Sequence, residues 1–135
     1  MSDRIEPSPA VVSRLGAIAA SLPASVEEDA WTGVRWRVRG RTFAHVLVAQ
    51  RPYASAYLDA TGLSGPATTL TFHASGDELL ALTHAGPPYY KPPWSPTVVG
   101  MVLADDTDWI EVAELLVESY RLLAPARLVR LLDGT

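Results

Sequence analysis

The 135-residue sequence predicts an α+β domain of two layers, an antiparallel β-sheet with helices packed on one side. Three observations carry that expectation. Apolar residues recur at helical spacing near both ends of the chain. Between residues 34 and 39, Val34, Trp36 and Val38 alternate with Arg35, Arg37 and Arg39, the period of a strand. Val98 to Leu103 is almost wholly apolar, as an internal strand is.

Taken in order, Ser8-Pro9 reads as an N-cap followed by proline at the first helical position. Val11, Val12, Leu15, Ile18, Ala19 and Leu22 then mark one face of a helix that Pro23 stops. The uncharged stretch from Leu15 to Val26 superficially resembles a secretory signal, but Asp3 and Glu6 sit where a positive leader is needed and Arg14 interrupts the apolar run. The alternating segment and the run holding Phe43, Val46 and Val48 form a hairpin turning at Arg39-Gly40. Residues 50 to 67 make a long, small-residue connection with a turn of helix around Tyr53 to Ala60. Thr68 to His73 is a further strand, and Ser75 is placed to cap a short helix ending near His84. Five prolines between Ala85 and Thr97 rule out regular helix there. Asp108 and Glu111 have capping-box spacing ahead of a long helix with Trp109, Val112, Ala113, Leu116, Val117 and Tyr120 on one face. Pro125 opens a last short helix. The expected order is α-β-β-β-α-β-α-α, in a single domain spanning residues 1–135, with room for one more short strand.

Composition narrows the function classes. The chain has no cysteine, so thiolate metal sites, disulfides and thiol nucleophiles are excluded, and the cytoplasm is the expected compartment. No run of about 18 apolar residues is present to span a membrane. The net charge of -4 disfavours a default polyanion binder. No phosphate-binding glycine loop, nucleophile elbow or HExxH pattern occurs, and His45, His73 and His84 lack zinc-ligand spacing. Neither a catalytic residue, a metal ligand nor a cofactor is therefore assigned.

Two surfaces stand out. From Ala30 to Tyr53 there are five arginines (Arg35, Arg37, Arg39, Arg41 and Arg51) and no acid. Guanidinium groups in a stripe suit phosphate oxygens, although a solvated strand face paired with nearby carboxylates is the commoner outcome. The proline-rich loop presents Tyr89, Tyr90 and Trp94 on a stiff backbone, beside Lys91, where they stack on a flat ligand or pack as a lid over the sheet edge. The acidic run Asp105, Asp106, Asp108, Glu111, Glu114 and Glu118 is explained by the helix N-terminus it surrounds. Trp31, Trp36 and Trp109 read as core.

Several pieces match one family in combination. Leu22-Pro23 is trailed by Glu27 and Glu28, the hairpin holds Gly40-Arg41-Thr42-Phe43-Ala44, Lys91-Pro92-Pro93-Trp94 precedes the penultimate strand, and Ser119-Tyr120 ends the long helix. Over about Val11 to Leu132 the chain resembles the MmcQ/YjbR family of small bacterial proteins. The resemblance implies a secretion-chaperone-like architecture, also described as a double-wing DNA-binding fold, and carries no catalytic residues.

The functional expectation is a non-catalytic module binding a protein or small ligand in the cleft between the basic hairpin and the Pro-aromatic loop. The alternative is a DNA-binding protein contacting phosphates. The residues assigned are Arg35, Arg37, Arg39, Arg41, Lys91, Tyr90 and Trp94. A monomer or weak homodimer with no membrane partner is expected.

Overall fold

A computed structural model describes residues 4–134. The elements are α1 (Pro9–Ala20), β1 (Ser25–Asp29), β2 (Val34–Val38), β3 (Arg41–Ala49), α2 (Ser55–Thr61), β4 (Ala67–His73), α3 (Gly76–His84), β5 (Tyr89–Tyr90), β6 (Val98–Val102), α4 (Trp109–Leu123) and α5 (Ala126–Leu132). The six strands form one antiparallel sheet in the order β1-β2-β3-β4-β6-β5. The α+β architecture follows the expectation, with three additions: β1 over the acidic triplet, β5 inside the proline-rich loop, and α2 as a full short helix.

Local chemistry accounts for most boundaries. The Ser8 hydroxyl accepts from the Val11 amide at 3.3 Å, and the Asp108 carboxylate accepts from Ile110 and Glu111 at 3.0 and 3.2 Å, each relieving free donors at a helix start. Ser75 occupies the N-cap of α3 but its side chain makes no capping bond. The β2–β3 turn places Arg39 at φ 50° and Gly40 at φ 79°, the left-handed pair that a two-residue hairpin requires. Arg39 therefore lies in the turn, beyond the strand that carries Arg35 and Arg37.

Register decides which residues face the core. Val34 pairs with Val46, Val46 with Leu70, Leu70 with Met101, and Phe72 with Val99, giving one apolar face. Against it pack Leu15 and Ala19 of α1, Leu82 of α3, Val112, Leu116 and Tyr120 of α4, and Leu128 of α5. A bulge between Trp36 and Arg37 leaves Phe43 as the extra residue on β3. Phe43 is fully buried and meets Tyr120 edge-on, with ring centroids 5.6 Å apart.

The bulge is held from the helical layer. The Ser119 hydroxyl donates to the Phe43 carbonyl at 2.6 Å and accepts from the His73 amide at 2.9 Å, joining α4 to β3 and β4. The Tyr120 hydroxyl donates to the Pro23 carbonyl at 2.7 Å and ties α4 to the end of α1. The Leu-Pro and Ser-Tyr pairs are thus two halves of one set of contacts.

Four helices cover the apolar face of the sheet. The fifth, α2, departs from the expected one-sided packing: it lies against the other face through Tyr57, whose ring meets that of His45. The uncovered part of that second face is where the candidate site sits.

Candidate functional site: an aromatic groove on the second face of the sheet

Strand alternation puts a polar row across the second face. Glu28 pairs with Arg35, Arg35 with His45, His45 with Thr71, Thr71 with Gly100, and Gly100 with Tyr90. Such neighbours stand about 4.5–5.5 Å apart at Cβ, so the row is a strip of adjoining side chains from Glu28 to Thr71, interrupted at Gly100. At its far end the Tyr90 ring lies where a Cβ on Gly100 would sit, and the Tyr90 hydroxyl shares a 2.5 Å hydrogen bond with Thr69. Burial pushes the Tyr90 phenol up to about 12, so it stays protonated at every physiological pH.

Above this strip opens a groove of about 230 Å³, lined by Arg35, His45, Thr71 and His73 from the strands and by Trp31, Tyr57 and Trp94 around the rim. Tyr57 stands between the two tryptophans, with centroids 6.1 Å from Trp31 and 4.8 Å from Trp94. His45 lies 6.3 Å from Trp31 and 6.4 Å from Tyr57. Trp31 is 59% exposed and Trp94 47%. Trp31, expected in the core, is a rim residue, because it sits in the β1–β2 turn and meets His45 and Tyr57 on the second face. Trp36 is buried as expected, its indole N–H donating to Glu27 at 2.9 Å.

Both groove histidines are held below the ordinary imidazole range, by burial first in each case. At His45 the Thr32 hydrogen bond opposes the shift and Arg35 adds to it; at His73 Arg41 adds to it. Unfolded imidazoles titrate near 6.5, so on acidification the unfolded chain takes up protons before the native chain does. Stability is therefore full above about pH 6.5 and falls as pH drops toward the folded values. Urea midpoints should decline between about pH 7.5 and about pH 5.5. The decline should be shallower in His45→Phe; a flat profile in the wild type would contradict the burial of these rings.

The residues singled out in the sequence divide three ways. Arg35 and Trp94 line the groove together. Arg37 is committed elsewhere: it donates to Glu28 at 3.1 Å and to the Gly40 carbonyl, bracing the hairpin turn. Arg35 also donates to Glu28, at 2.7 Å, and the two arginines, Arg37 first, hold that carboxyl below its usual range. Arg39 and Arg41 are exposed at the hairpin tip. The Lys91 ammonium donates to the carbonyls of Pro92 at 2.9 Å and of Ser95, clasping its own loop. Tyr90 is buried and lies outside the groove, lining instead the cavity at the β5 edge.

A larger cavity, about 520 Å³, opens at the β5 edge between Pro88, Tyr89, Met101, Val102 and the start of α4. Two of its three acids have local work: Asp108 caps α4, and Glu111 accepts from the Tyr89 hydroxyl. The smaller groove has the exposed tryptophans, Trp31 and Trp94. Among the described residues no cluster of three or more His, Cys, Asp or Glu could hold a metal ion, and no helix is long and apolar enough to cross a membrane.

Residues 20–122 match the YjbR family model. The chain belongs to the YjbR family. The matched span runs from the end of α1 to the end of α4 and so contains the whole sheet, the Ser119–Tyr120 contacts and every groove residue. No curated protein matches the chain in sequence.

Proposed function

We propose that this YjbR-family domain is a non-catalytic binding module whose ligand is a small planar molecule seated in the aromatic groove. The observation that carries the reading is the half-exposed pair Trp31 and Trp94 set around Tyr57. Large aromatic surfaces grouped over a polar floor and left open to solvent mark recognition sites more often than packing. The groove is lined by Arg35, Thr42, Ala44 and His45 of the basic hairpin and by Trp94 of the Pro-aromatic loop, which supports a ligand seat between the two. The phosphate-contact alternative has less to work with, since Arg37 is engaged by Glu28 and the Gly40 carbonyl and Lys91 is held by carbonyls.

A ligand-detected NMR screen of planar aromatic fragments tests the reading. Hits should bind saturably and lose affinity by about ten-fold or more in Trp94→Ala and in Trp31→Ala, the size expected for ~1–3 kcal/mol of stacking per ring. Affinity should change little between about 50 and about 300 mM salt, unlike phosphate-backbone binding. Hits indifferent to both substitutions would remove the groove from consideration. Steeply salt-dependent binding to duplex DNA that is lost in Arg39→Glu/Arg41→Glu would favour the alternative.

A further inference from the structure

The polar atoms on the groove floor restrict what the ligand can be; this inference rests on the groove being the binding site. His45 is 8% exposed, and its Nε2 lies 2.7 Å from the Thr32 carbonyl oxygen. A carbonyl only accepts, so Nε2 carries the proton. In a neutral ring Nδ1 is then a bare acceptor. Burial, which lowers the proton affinity of His45, keeps the ring neutral at physiological pH. No protein group among the described residues bonds Nδ1, while the ring lines the groove between Trp31 and Tyr57. A nearly buried acceptor left open to a cavity calls for a donor from whatever fills it.

Beside it on the same strip stands Arg35, the cross-strand partner of His45. Its Nε is engaged by Glu28, but its terminal nitrogens carry no protein hydrogen bond among the described residues. Glu28 is shared by two guanidinium groups, so this cluster of three keeps a net positive charge. The groove lining holds Arg35 and no carboxylate. The floor therefore offers an acceptor next to a cation, under a wall of aromatic rings. The volume fits one or two fused rings, given that an apolar cavity of about 150 Å³ accommodates benzene.

We propose that the groove selects a planar nitrogen heterocycle carrying an anionic group next to its ring N–H. The ring packs against Trp31, Tyr57 and Trp94, the N–H donates to Nδ1 of His45, and the anion takes the terminal nitrogens of Arg35. Discrimination comes from the N–H, because an isostere without it leaves Nδ1 buried and unpaired, an error that costs more than a lost apolar contact.

Three probes of near-equal shape test this by calorimetry or NMR titration: indole-2-carboxylate, benzofuran-2-carboxylate, which replaces the N–H by oxygen, and indole, which lacks the anion. The first should bind saturably, and the other two at least about ten-fold more weakly. In His45→Phe the first two should converge. In Arg35→Gln the advantage of indole-2-carboxylate over indole should collapse. Thermal melts of both variants establish that they fold, and the comparison of probes on the wild type needs no variant. Equal affinity for all three probes, with all binding lost in Trp94→Ala, would overturn the ligand class and leave the groove standing. Binding insensitive to Trp94→Ala, or no saturable binding of indole-2-carboxylate, would overturn the proposal; in the former case the groove reading falls with it.

Discussion

Gly33→Ala should destabilise the protein by more than about 4 kcal/mol, the range reached only when a substitution strikes a fixed part of the fold. Gly33 sits at φ 72° in the β1–β2 turn, where its carbonyl accepts from the Ala30 amide at 3.0 Å. A Cβ there would lie 1.9 Å from the Val46 carbonyl oxygen and 2.9 Å from the Leu47 Cα. Both are backbone atoms of the central strand β3, buried and hydrogen-bonded on both sides, so neither can yield. The left-handed conformation adds roughly 1–2 kcal/mol for any residue with a Cβ. Since whole domains are stable by only about 5–15 kcal/mol, the variant should be recovered largely unfolded or with a greatly reduced urea midpoint. A variant within about 1 kcal/mol of wild type would mean that the turn does not press on β3 as described. Because the same turn positions Trp31, a surviving variant should also bind groove ligands poorly.

Ser119→Ala should cost about 2–4 kcal/mol, far more than the loss of one average hydrogen bond. Ser119 has no exposed surface, and its hydroxyl satisfies two backbone groups at once, the Phe43 carbonyl and the His73 amide. Alanine leaves both in place with no side-chain partner. An unsatisfied buried group costs about 1–3 kcal/mol, and two are created. Tyr120→Phe, next along the helix, removes only the bond to Pro23 and should cost nearer 1 kcal/mol. Urea denaturation of the two variants side by side reads the difference; equal costs would show that the bulge carbonyl finds another donor.

These two positions illustrate how far local reasoning reaches. The turn at Arg39-Gly40, the caps at Ser8 and Asp108, and the apolar face of α4 depend on a few neighbouring residues, and each was legible in the chain. The Ser119-Tyr120 pair was recognisable as a resemblance, but its work is done on Phe43, His73 and Pro23, all more than 40 positions away. Strand β1 was missed because Glu27, Glu28 and Asp29 have poor strand propensity. It forms because Trp36, Arg35 and Arg37 on the next strand supply partners for Glu27 and Glu28. Strand β5 was missed because two residues between prolines carry no period at all.

The groove shows the same division. Alternation already separated His45, Thr71 and His73 from the apolar faces of their strands, and that was the one available signal that these residues share a surface. Membership of a common site was not in it. Trp31 comes from a turn, Tyr57 from α2, Trp94 from the proline-rich loop, and Arg35, His45 and His73 from three strands. The amino-acid sequence by itself determined the α+β class, the hairpin, the starts of α1 and α4 and the absence of thiol chemistry, because these follow from period, caps and composition over short stretches. The tertiary structure alone decided that Arg35 and Arg37 share one carboxylate, that Lys91 is spent on its own loop, and that three distant aromatics rim one groove. Those outcomes depend on strand order and register, which are set by packing over the whole sheet.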